Sequence, residues 1–201
     1  MIKNIIFDIG KVLVDFDPDL CLKQFGYDEE LRRRIQKATT ESPVWHEYDH
    51  GIWSREKVLE GFIAGDLGIE VEIRFFFDHM RDTIIPWEHV VPWFEQLHKM
   101  GLKVYYLSNY PEYLFEQTNC HMPFLPYADG GVFSFREKVM KPDPEIYRRL
   151  TDRYGLKPEE CLFFDDRPVN VEAARKFGMQ AAVYTDLGSA RREIALRLQR
   201  V

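Results

Sequence analysis

At 201 residues, with 45% hydrophobic and 30% charged residues and a net charge of −6, the chain fits one globular domain, or a core with a modest insert. It has no run of five or more Lys/Arg, so the basic footprint of a nucleic-acid binder is missing and an anionic membrane surface is a poor partner. There is no stretch of about 18 consecutive apolar residues, the N-terminal apolar run is only strand-long, and Cys21, Cys120 and Cys161 form no CxxC pair. Together these features predict a cytoplasmic protein without signal peptide, membrane span or disulfide framework, either a monomer or a small homo-oligomer.

Residues 4–7 read as a buried strand that stops at the polar turn Asp8-Ile9-Gly10. From about residue 18 to 85 the spacing turns helical (Leu20, Leu22, Phe25; Leu31, Ile35; Val58, Leu59, Phe62), with no strand expected. Pro86 and Pro92 bracket the return to alternation. A helix over 92–100, capped by Gly101, leads into a strand at 103–107. A helix at 112–118, a strand at 131–135 and a helix at 144–154 follow. The chain ends with a strand at 161–164, a helix over 168–177 closed by Gly178, a strand at 180–184 and a helix from about 188. Strands alternating with helices predict an α/β fold, a Rossmann-like parallel sheet with right-handed crossovers, and the helical block becomes an all-helical insertion after the first strand.

In such a sheet the ligand site lies outside the carboxyl ends of the strands. Asp8 follows the first strand, Ser108-Asn109 follow the second, and Asp165-Asp166 follow a later one; Lys141 sits in a Lys-Pro-Asp-Pro turn before a helix. Singly these could be a turn residue, a helix cap and a solvated lysine. Adjacent acids at a strand end are less bland, because they repel unless a cation is near. Converging on one rim, the set has the chemistry of metal-assisted phosphoryl transfer, whose loose transition state needs placement and positive charge more than covalent help.

The same residues resemble the four motifs of the haloacid dehalogenase (HAD) superfamily: Ile5-Ile6-Phe7-Asp8-Ile9-Gly10, Tyr105-Tyr106-Leu107-Ser108-Asn109, Lys141-Pro142-Asp143-Pro144, and Phe163-Phe164-Asp165-Asp166 with Asn170. The resemblance implies a core of residues 1–16 and 86–201 with a helical cap over 17–85. It also implies a phosphatase for a small phosphomonoester, with Asp8 as nucleophile and Mg²⁺ held by Asp8, the Gly10 carbonyl and Asp166. Ser108 and Asn109 would hold phosphate oxygens, Lys141 would neutralise the phosphoryl charge, and Asp165 would orient Lys141 or a metal-bound water.

Most HAD phosphatases carry a general acid two residues after the nucleophile, where this chain has Gly10. Losing a general acid costs about 10²–10⁴-fold. A substrate with a good leaving group, such as a sugar 1-phosphate, would tolerate that loss, and an Asp-x-Gly first motif is similar to that of the bacterial glucose-1-phosphate phosphatases. Alternatively Lys11, Asp15 or an acid of the cap supplies the proton, or the protein is a weakly active binder. A metal-independent 2-haloacid dehalogenase is the nearest rival activity, and the Asp165-Asp166 pair speaks against it. His46-Glu47-Tyr48-Asp49-His50 matches the zinc motif His-Glu-x-x-His literally, but Gly51 ends any helix there and no third ligand stands out. Trp45 and Tyr48 are expected to line the cap side of the pocket and stack on a sugar, while Phe75-Phe76-Phe77 is read as cap packing.

Overall fold

The computed structural model describes residues 1–198. The chain opens with β1 (Asn4–Phe7) and a short β2 (Val14–Phe16), then passes through α1 (Pro18–Gln24), α2 (Glu29–Ala38), α3 (Val44–His50), α4 (Arg55–Gly65) and α5 (Glu70–Asp78). It returns by β3 (Ile84–Pro86) and alternates through α6 (Val90–Lys99), β4 (Lys103–Ser108), α7 (Glu112–Thr118), β5 (Gly130–Phe133) and α8 (Ser134–Glu137). The last elements are α9 (Pro144–Tyr154), β6 (Cys161–Asp165), α10 (Pro168–Phe177), β7 (Gln180–Val183) and α11 (Leu187–Leu198). Five strands form one parallel sheet in the order β5-β4-β1-β6-β7, the α/β architecture that the alternation predicts.

Strand β1 lies at the centre with all four residues buried, because a parallel sheet covered on both faces needs apolar side chains on each. Successive residues point to opposite faces. Phe7, Val104 and Phe164 meet Trp93 and Phe94 of α6 and Ile194 of α11 on one side. Ile6, Leu107 and Phe163 meet Tyr147 and Leu150 of α9 and Val171 of α10 on the other. The Phe7 ring lies 4.6 Å from Trp93 and 5.6 Å from Phe164. Two-sided burial fixes the register: Phe7 pairs with Tyr106 on one side and Phe164 on the other. Asp8 and Asp165 therefore leave the sheet at the same level.

The structure departs from three of these expectations. Helix α6 starts at Val90 rather than residue 92, since Pro92 falls in the first turn, where a missing N–H costs nothing. The strand expected to 135 ends at Phe133, and α8 begins. Strand β3 lies in a stretch read as strand-free; its three residues pair antiparallel with β2, a long-range contact that leaves no periodic signal. Between β2 and β3 the helices close their own aromatic core, with Tyr48, Phe62, Phe76 and Phe77 all buried. Phe76 and Phe77 thus pack as expected, while Phe75 is exposed and stacks on His79 at 4.1 Å.

Helix α3 ends at Gly51 against α8 of the core. Gly51 adopts a φ of +68°, and a Cβ there would stand 2.7 Å from the Phe135 Cα. Ser134 Oγ donates to the Asp49 carbonyl, Lys138 Nζ to the Gly51 carbonyl, and His50 Nε2 to the Lys138 carbonyl at 3.0 Å. We expect Gly51→Ala to lower unfolding free energy by about 1–3 kcal/mol from the left-handed φ alone, with more from the contact. Urea denaturation checks this, and a midpoint equal to that of the native chain would refute it.

Candidate active site

The site grows from the carboxyl ends of β1, β4 and β6. Lys141, in the loop between α8 and α9, is only 1% exposed. Its ammonium has three donors and meets three acceptors: Asp165 Oδ2 at 2.7 Å, the Leu107 carbonyl at 2.8 Å and Asp8 Oδ1 at 2.9 Å. Asn109 locks the lysine backbone, donating Nδ2–H to the Lys141 carbonyl at 2.9 Å and accepting the Lys141 N–H at 2.8 Å. Asp165 is fully buried, and beyond Lys141 it accepts from Asn170 Nδ2 at 3.0 Å and from the Arg167 N–H at 2.8 Å. Asp8 Oδ1 also accepts the Ile9 N–H at 2.7 Å, which leaves Oδ2 without a hydrogen bond among the described residues.

The electrostatics are unbalanced. Burial and the neighbouring Asp165 push Asp8 up to about 6, against the pull of Lys141. Asp166 is raised as well, first by burial and then by Asp165. For Lys141, burial works against the charge, but Asp165 and Asp8 outweigh it and keep the ammonium above its ordinary range. Lys141 pairs with Asp8 and Asp165, while Asp166 is pulled down by Lys141 and Lys11 together. Oxygens of Asp8, Asp165 and Asp166 lie within 4.8 Å of one another, and this is the only such group of metal-binding side chains among the described residues. No hydrogen bond among the described residues ends on the Gly10 carbonyl. With Asp165 committed to Lys141, Asn170 and Arg167, the unspent donors are oxygens of Asp8, Asp166 and Gly10. Hard oxygen donors with excess negative charge fit Mg²⁺.

Asp8 opens onto two adjoining cavities. One, of about 220 Å³, is polar and includes Lys11, Lys141, Asp166, Arg167 and Asn170 in its wall. The other, of about 100 Å³, is bounded by apolar groups such as Trp45, Ile84, Pro111 and Leu114. Asp8, Gly10, Phe16, Asp49 and Asn109 border both. Asp49 reaches this junction from α3. Burial and then Asp8 push its carboxyl up to about 7, while Arg167, Lys141 and the Trp45 indole pull it down.

Asp8, Gly10, Asn109, Lys141, Asp165 and Asp166 therefore come together as the sequence implies, and Trp45 borders the apolar cavity. Tyr48 does not: it is buried in the aromatic core of the helical segment and faces a separate cleft beside Arg55 and Tyr113. Ser108 ends β4 fully buried, and its hydroxyl donates to the Asn109 carbonyl at 3.4 Å. Among the described residues His46 and His50 belong to no metal-binding group: His46 is exposed and His50 is bonded to Lys138. Two wall residues, Asp49 and Arg167, were not singled out in the sequence reading. Arg167 follows the acidic pair directly, a signal that could have been used. Asp49 hides inside the zinc-like motif.

Comparison with known proteins accords with this geometry. A family model described as haloacid dehalogenase-like hydrolase matches residues 2–178. The chain is 26% identical over 195 residues to the D-ribitol-5-phosphate phosphatase of Bacteroides thetaiotaomicron, covering 90% of each. It is 23% identical over 152 residues to flavin mononucleotide hydrolase 1 of Arabidopsis thaliana, covering 76% of this chain but only 61% of that one. A HAD-family enzyme from Bacteroides thetaiotaomicron, solved in complex with magnesium and inorganic phosphate, shares the fold with a TM-score of 0.70 at 19% identity, over 94% of this chain and 99% of that one. Because the matched span runs from before Asp8 to beyond Asn170, taking in every motif on the rim, the chain belongs to the haloacid dehalogenase-like hydrolases.

Proposed function

We propose that the protein is a Mg²⁺-dependent phosphomonoester hydrolase that acts through an aspartyl-phosphate at Asp8 on a small sugar phosphate. The observation that carries this reading is Asp8 itself. One of its oxygens is held by Lys141 and the Ile9 N–H, the other accepts no hydrogen bond among the described residues, and the carboxylate opens onto a polar cavity walled by Lys11, Lys141 and Arg167. Mg²⁺, held by Asp8, the Gly10 carbonyl and Asp166, would supply the remaining positive charge on the phosphoryl oxygens. Lys141 fixes the attacking carboxylate, and the Asn109 N–H, which has no partner among the described residues, is available to a phosphoryl oxygen. Small cavities and the paired rings of Phe16 and Trp45, 5.8 Å apart, favour a sugar over a bulky leaving group. The D-ribitol-5-phosphate phosphatase relative supports the same class. Glucose 1-phosphate is the first candidate, because its anomeric oxygen leaves more readily than an ordinary alkoxide.

The test is a phosphate-release screen over glucose 1-phosphate, glucose 6-phosphate, ribitol 5-phosphate, a nucleotide, phosphoserine and phosphoglycolate. Release is expected from sugar phosphates, lost in EDTA and restored by added Mg²⁺. Release unaffected by EDTA would overturn the metal assignment, and no release from any member would overturn the reading. Chloride release from 2-chloropropionate in EDTA would replace it with the dehalogenase alternative.

A further inference from the structure

Gly10 leaves Asp8 without the neighbouring acid that would protonate the departing oxygen. Crowding is not the reason: a Cβ built on Gly10 meets nothing within 4 Å, and its backbone is not left-handed. A carboxylate would fit there, so the site either does without a proton donor or takes one from elsewhere.

The two cavities decide between these. A phosphomonoester with its phosphoryl group among Lys11, Lys141 and Arg167, and its leaving group against Trp45 and Leu114, passes its bridging oxygen across the residues that border both. Those are Asp8, Gly10, Phe16, Asp49 and Asn109. Asp8 is the nucleophile, Gly10 and Phe16 carry no titratable group, and the Asn109 amide is bonded to the Lys141 backbone. Of the other candidates, Lys11 borders the polar cavity alone, on the phosphoryl side. Asp15 borders neither cavity and accepts the Phe16 N–H at 2.9 Å.

We infer that Asp49, presented by the inserted helical segment, is the general acid–base of this site, replacing the acid absent at Gly10. The inference rests on the phosphatase reading. Asp49 is also well placed by its surroundings. Its backbone is tied to the core through Ser134, whose Oγ donates to the Asp49 carbonyl while accepting the Tyr110 N–H at 2.9 Å, and the next two residues are anchored to Lys138. Its carboxylate is buried and in no salt bridge among the described residues, with the Trp45 indole beside it. The zinc-like stretch His46–His50 is thus a helix that delivers an acid to the core.

The step balances as follows. An Asp8 oxygen forms its bond to phosphorus as the bond from phosphorus to the leaving oxygen breaks. The electron pair stays on that oxygen, which takes the proton of Asp49. Water then attacks the phosphorus and gives its proton to the Asp49 carboxylate. The bond to Asp8 breaks, its electron pair returns to the Asp8 carboxylate, and Asp49 is again protonated.

The experiment compares Asp49→Asn with the native enzyme, both with Mg²⁺, on glucose 6-phosphate and on p-nitrophenyl phosphate. The first must expel an alkoxide, whereas the aryl oxide of the second leaves unaided. The variant is expected to lose about 10²–10⁴-fold on glucose 6-phosphate. Phosphoenzyme formation from p-nitrophenyl phosphate should be retained, and the phosphoenzyme should accumulate, visible by intact mass, because its hydrolysis lacks a base. Adding Gly10→Asp to the variant is expected to return part of the lost rate. Equal losses in transfer from both substrates, or unchanged turnover of glucose 6-phosphate, would overturn the role of Asp49. So would a native enzyme that hydrolyses p-nitrophenyl phosphate but no alkyl phosphate. If instead Asp8→Asn leaves p-nitrophenyl phosphate hydrolysis intact, the aspartyl-phosphate at Asp8 on which the inference rests fails.

Discussion

Replacing Asp8 by Asn is expected to lower kcat by about 10⁴-fold or more, because a neutral carboxamide is no nucleophile toward phosphorus. The fold should gain from the same change. The native-state carboxyl lies at about 6, against an ordinary 3.8, with burial as the main cause. A raised carboxyl means that the native state binds more protons than the unfolded chain between those two values. Stability attributable to Asp8 is therefore intact below about pH 4 and is lost as pH rises through 6. In EDTA at pH 8, Asp8→Asn is expected to be more stable than the native protein by about 1–3 kcal/mol, with no difference near pH 4. Paired activity and denaturation curves check both halves. An inactive variant that is also unstable at pH 8 would show loss of fold rather than loss of the nucleophile.

Lys141→Met should fail in the opposite way, losing both activity and fold. The ammonium is the only side-chain cation bonded to Asp8 and Asp165 among the described residues, and at 1% exposure no water can replace it. Removing one partner of a buried ion pair costs about 3–5 kcal/mol, which in a chain of this size lowers Tm on the order of 10 °C. Without the lysine, the Asp8 carboxyl, already raised by burial, loses the charge that pulls it down. Its penalty grows as pH rises, so the variant should approach native stability near pH 4 and fall behind by pH 8. Arg is no substitute, since its planar fork does not fit a pocket shaped to three converging acceptors. A Lys141→Met protein with native Tm at pH 8 would mean that the carboxylates do not depend on this lysine.

Much of this site was legible without coordinates. β1, β4 and β6 are short apolar runs, each stopped by a polar residue, and a parallel sheet places such stops on one rim. Asp8, Asn109, Lys141, Asp165 and Asp166 follow from that, and the family motifs sharpen them. Trp45 was read as pocket-lining and borders the apolar cavity. Tyr48, three residues on, turns into the aromatic core beside Phe62 and Phe77. Spacing on a seven-residue helix does not say which turn faces the core and which the pocket.

The acid at the junction marks the boundary between the two kinds of information. Strand ends, helix stops at Gly51 and Gly178, and the absence of an acid at Gly10 are local properties of neighbouring residues, and the sequence by itself determined them. Which acid of the inserted helices faces Asp8 depends on how α3 docks on α8. That docking is made by contacts such as Ser134 to Asp49, 85 positions apart in the chain. Periodicity reports what lies within a few turns of a helix or strand, so only the tertiary structure could decide that Asp49 borders the same cavities as Asp8 and Gly10.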